Sequence, residues 1–190
     1  MKRIQQIAIA LITASVIFTA CKKETLPNPE PVEQELITTV RLIVTNNAGF
    51  NKTFNYKVDN GFGGTTQGNV QIDDVVLAPG TEYNVEVQVW DESKSPAENI
   101  TEEVIAESHH HLFIFQSNPA TGEGSISFSN GSKDDENEPL NQKITFTTGA
   151  AGNGSLTVTL KHEPANKNAA TPDEAGGETD AQAIFPVKLQ

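Results

Sequence analysis

Thr101 to Gln116, TEEVIAESHHHLFIFQ, sets His109, His110 and His111 where an acidic helical pattern gives way to an apolar strand. The remaining histidine, His162, closes another strand. Imidazole is a common ligand of borderline metal ions, and three in a row place at least one on each face of a strand. A strand starting at His109 puts His109 and His111 on the face of Phe113 and Phe115, and His110 with Leu112 and Ile114. A helix that runs on instead leaves Glu107 three and four positions before His110 and His111, so that a carboxylate and an imidazole share an ion. Glu103 lies one helical turn further back. His162, with Glu178 and Asp180 as supporting carboxylates, is placed to complete such a site. Zinc or another transition metal is the expected ion, and haem ligation by a histidine pair is a further use. The alternative needs no ligand: the histidines form a solvated strand entry, balanced in charge by Glu102, Glu103 and Glu107.

Other chemistry is harder to place. The sequence has no Gly-x-Ser-x-Gly turn, and Cys21 is the only cysteine, so a hydrolytic triad finds no nucleophile. Gly61-Phe62-Gly63-Gly64 lacks the lysine and helix that a phosphate cradle requires. The carboxylates of Asn130 to Glu138 miss the alternating spacing of a calcium loop. A non-enzymatic binding protein is expected.

These residues must be carried by strands. Val40, Leu42 and Val44 alternate with Arg41, Ile43 and Thr45 in a first strand, and Phe54, Tyr56 and Val58 in a second; Asn46 to Gly49 makes the pair a hairpin. Asp59 to Asn69 is a glycine-rich loop. Ser95-Pro96-Ala97-Glu98 and Asn99 to Glu102 are two helix-start signals, which predict a helix over 96–107 with Ile100 and Val104 facing the sheet. Leu112 to Phe115, apolar on both faces, predicts a central, covered strand. Gly124 to Ser129, Lys143 to Thr148 and Ser155 to His162 follow as strands. Glu163 to Glu178 reads as polar and mobile, and Thr179 to Leu189 as a last strand that Pro186 marks as an edge. The expectation is an all-β, antiparallel immunoglobulin-like or fibronectin-like sandwich with one short helix insertion, spanning residues 37–190.

Ahead of it, Lys2 and Arg3 precede an apolar run ending at Ala20, which reads as a signal peptide over 1–20. Cys21 follows directly and resembles the lipidated cysteine of a bacterial lipobox, with 21–36 a proline-rich tether. Loss of Lys2 and Arg3 takes the basic residues from 13 to 11 against 25 acidic ones, a net charge near −14. Nucleic acid is therefore excluded as a partner.

Leu77-Ala78-Pro79-Gly80 before Tyr83, Val85 and Val87 resembles the tyrosine corner of fibronectin type III domains, which implies that the Tyr83 hydroxyl bonds back to upstream backbone. Asp91-Glu92-Ser93-Lys94, the acidic-to-histidine stretch, Lys161-His162 and Gly176-Gly177-Glu178-Thr179-Asp180 together resemble a group of small lipoproteins of Bacteroidota. That resemblance implies a lipid-anchored protein of the outer membrane, on its periplasmic or cell-surface face. It further implies an accessory to a TonB-dependent transporter in nutrient or metal capture. The alternative role is a structural or adhesion module that binds a protein partner.

Overall fold

The computed structural model describes residues 36–63 and 65–190. The expected signal segment 1–20, Cys21 and the tether as far as residue 35 lie outside the described residues.

Alternating apolar side chains build the first layer. β1 (Thr39–Thr45) buries Val40, Leu42 and Val44, and lies antiparallel between β2 (Asn51–Val58) and β5 (Glu82–Trp90). β3 (Val70–Ile72) extends this sheet beyond β2. β8 (Lys143–Thr148) and β7 (Ile126–Ser129) extend it beyond β5, giving six strands in the order β3-β2-β1-β5-β8-β7. The second layer has four strands, in the order β4-β10-β9-β6: β4 (Val75–Leu77), β6 (His111–Asn118), β9 (Gly152–His162) and β10 (Glu178–Leu189). Aromatic contacts join the layers. Phe115 of β6 meets Phe146 of β8 edge to face at 5.6 Å, and Phe185 of β10 meets Tyr56 of β2 at 5.8 Å. The protein is an all-β sandwich. It departs from a purely antiparallel one at β4, which pairs parallel with Val187 to Leu189.

Tyr83 stands at the turn between β4 and β5. Its buried hydroxyl accepts the Ala78 N–H at 3.0 Å, and its ring packs edge-on against Phe50. Thr148 closes the same corner, donating to the Ala78 carbonyl and accepting the Thr81 N–H. Each buried polar group of the turn thereby gains a partner, which an apolar layer requires.

Four local expectations are corrected. The helix, α1, spans only Thr101–Ala106 and is followed by a 3-10 turn at Ser108–His110. Asp91 and Glu98 exchange backbone hydrogen bonds at 3.0 and 2.9 Å, which commits Glu98 to a bridge and moves the helix start to the second signal. There Asn99 accepts the Thr101 N–H, while the Thr101 hydroxyl is bonded to the Val89 backbone. Ile100 and Val104 are buried as the pattern requires.

β6 is an edge strand, not a central one. It is nevertheless covered on both faces: Phe113 and Phe115 enter the main core, and Leu112 and Ile114 pack with Ala175 and Ala169. On its open edge Phe113 is satisfied by Leu140, whose carbonyl accepts the Phe113 N–H, and by Asn141, which donates to the Phe113 carbonyl. An edge strand so covered reads in sequence like an interior one.

The segment between β9 and β10 is packed. It forms α2 (Pro172–Ala175), with Thr171 capping the Glu174 N–H and Ala175 fully buried on Leu112 and Ile114. Lys167 of this segment pairs with the covered Asp134 and donates to the Ser108 carbonyl at 2.7 Å.

β10 is an interior strand between β9 and β4. Pro186 is tolerated because β4 pairs only with the three residues after it.

Candidate metal centre

The end of the four-stranded sheet places the histidines. His111 is the first residue of β6 and lies opposite His162, the last of β9. Because α1 ends at Ala106 and the turn absorbs Ser108 to His110, the strand phase puts His111 on the inward face with Phe113 and Phe115. β10 follows β9 in register as far as Leu160↔Ala181, and again from Lys161↔Thr179. Asp180 is the extra residue of the bulge between them. In plain alternation it would share the outward face of Gln182 and Ile184. The bulge turns it inward, and both Asp180 and Ala181 are buried.

Three donor atoms converge as a result. A ligand atom each from His111, His162 and Asp180 lies within 4.8 Å of the others. His111 Nε2 is 3.8 Å from Asp180 Oδ2, and His162 Nδ1 is 3.9 Å from Asp180 Oδ1. Both separations exceed a hydrogen bond. Donors placed 2.0–2.2 Å from a tetrahedral ion sit about 3.3–3.6 Å apart, so seating one would take a few tenths of an ångström of closure at the two Asp180 separations and up to about 1.5 Å across a group whose donors lie within 4.8 Å. The two imidazoles stack at 4.9 Å with their planes 8° apart. His111 and Asp180 are each 7% exposed.

The chain also sets the tautomer. His111 Nδ1 lies 3.0 Å from the Glu107 carbonyl. A carbonyl only accepts, so Nδ1 carries the proton and Nε2 turns its lone pair toward Asp180. A backbone acceptor behind a ligating imidazole is the usual way of fixing its orientation. Burial holds His111 below its ordinary pKa, against the upward pull of the Glu107 carbonyl and the Asp180 carboxylate. The neutral form thus favoured is the one that ligates a metal.

Backbone contacts lock the two ends together. Glu163, in the left-handed region at φ 50°, donates its N–H to the His110 carbonyl at 2.7 Å. Gly177 passes so close that a Cβ there would sit 2.3 Å from the His162 carbonyl oxygen, and its φ of 63° also favours glycine.

The other expected ligands go elsewhere. His109 and His110 are exposed and face separate carboxylates, Asp135 at 3.3 Å and Glu163 at 3.0 Å. Glu103 and Glu107 are exposed on α1 and at its end; Glu107 reaches His111 through its carbonyl, not as a carboxylate sharing an ion. Glu178 is exposed opposite His162 in the ladder. Asp180, expected as support, is the carboxylate at ligand distance. No local signal promotes it, because plain alternation with Ala181, Ala183 and Phe185 puts Asp180 outward and only the bulge reverses its face.

The fold and this end of it define an all-β sandwich carrying a two-histidine, one-aspartate group able to hold a metal ion. Compared with protein-family models, curated proteins and solved structures, the chain matches none.

Proposed function

We propose that this protein is a non-enzymatic, lipid-anchored accessory of the outer membrane that captures a transition-metal ion or its chelate, in company with a TonB-dependent transporter. The observation that carries the metal reading is the convergence of His111 Nε2, His162 Nδ1 and Asp180 at the sheet end. Two imidazoles and one carboxylate are a donor set suited to zinc and its first-row neighbours rather than to calcium or magnesium, which prefer oxygen. Cys21 behind its apolar run supports the anchor, and the net charge, near −14 once Lys2 and Arg3 are lost with the signal peptide, suits a surface that concentrates cations.

Titration calorimetry of the tag-free protein with zinc, copper and nickel tests this reading. One ion should bind with a Kd below about 10 μM. Weaker binding to all three would pass the lead to the adhesion role.

A further inference from the structure

The metal centre has three protein donors, and among the described residues no fourth imidazole, thiolate or carboxylate joins them within the same span. First-row ions take four or more ligands, and a site with three protein ligands keeps a position for a donor from outside. His111 and Asp180 are almost wholly covered, whereas the His162 side chain retains 17% exposure, so the open position lies on its side.

Three acidic residues belong to the chain ends beside it. Glu163 follows His162 and sits against His110, Glu178 stands opposite His162 in the ladder, and Glu107 is the residue whose carbonyl holds His111 Nδ1. A divalent ion neutralised once by Asp180 carries one net positive charge, Lys161, whose ammonium donates to the Gly177 carbonyl and the Thr179 hydroxyl, adds a second, and the three carboxylates still exceed the two. An incoming anion meets this rim as a like charge. A neutral nitrogen donor does not.

Resting on the metal-centre reading, we infer that the loaded site accepts a neutral nitrogen donor from a second molecule, an imidazole or amine such as a histidine-bearing peptide, and discriminates against anionic donors. The ion is then held jointly by this protein and its partner. Handover needs only the exchange of donors at one open position.

Cobalt(II) reports the coordination shell through its visible absorption. The full-length, tag-free protein is loaded with cobalt and titrated with imidazole and, separately, with azide, and both titrations are repeated on a Glu163→Gln/Glu178→Gln variant. Imidazole should change the spectrum of both proteins with equal affinity. Azide should bind the variant about twofold more tightly than the wild type at low ionic strength, since exposed charges repel it only weakly through water and salt screens them further. A cobalt spectrum that neither ligand alters means a closed shell and overturns the inference, while leaving the metal centre intact. Azide affinity indifferent to the rim overturns the discrimination. Failure of cobalt, zinc, copper and nickel alike to bind sinks the metal centre and this inference together.

Discussion

His111 and His162 face each other across the β6–β9 ladder with their rings stacked at 4.9 Å, and each directs a nitrogen to a different oxygen of Asp180. A stack alone would be a packing contact. The shared carboxylate makes the pair a candidate ligand set.

That arrangement separates the histidines into two classes. Loss of a residue that merely orients a ligand costs 10- to 100-fold in metal affinity, so His111→Ala, His162→Ala and Asp180→Asn should each exceed about 100-fold. His109→Ala and His110→Ala should stay within error of the wild type. Calorimetry on all five variants checks this, and equal losses at His109 and His162 would point to a surface tract acting as an affinity tag.

The buried imidazole should make the metal-free protein sensitive to acid. Unfolded, His111 takes up its proton near the ordinary value of about 6.5. Folded, burial lowers that pKa. As pH falls below about 6.5, the unfolded chain binds the proton first, and stability declines until the folded value is passed. Urea unfolding between about pH 7.5 and 5 should show this slope reduced in His111→Asn. Parallel slopes in the two proteins would refute it.

Tyr83 offers a test of the fold. Removing the hydroxyl that receives the Ala78 N–H should cost about 1 kcal/mol in Tyr83→Phe. Removing the buried ring as well should cost about 3 kcal/mol or more in Tyr83→Ala. Denaturant midpoints at constant slope would measure both.

Lys167 ties the segment between β9 and β10 to the turn before His109. Lys167→Met leaves the Ser108 carbonyl and Asp134 short of a donor, with an expected loss of roughly 1–3 kcal/mol. Because that turn leads into His111, zinc affinity should fall as well. Asp134 is held below its usual pKa by the Lys167 hydrogen bond. That contribution is present above the unfolded value of about 3.9 and lost as pH drops through the lower folded one. Unfolding of the variant at neutral pH, where Asp134 is charged, should reveal the full effect.

Anchorage is tested separately. Cys21→Ser should move the protein from the membrane fraction to the soluble one, because the proposed acyl chains would have no attachment point. Continued sedimentation with membranes would reject lipidation.

Most strands were legible because alternation is a local property: Val40, Leu42 and Val44, then Val85, Val87 and Val89, announce a buried face whatever their neighbours, whereas β3 and β4, three residues each, are too short to alternate and were not foreseen. Tyr83 was equally legible, since its turn lies only a few residues upstream. His111 and His162 could be named as candidates from type and position. Their union with Asp180 could not, because it depends on which strands pair and on a bulge that one extra residue creates between Thr179 and Ala181. The same limit hid the edge position of β6, the packing of Ala175 on Leu112 and Ile114, and the shortened α1. Sequence periodicity reports whether a side chain is covered. Only the ladder register and the layer above it decide by what, and a metal centre is made of such choices.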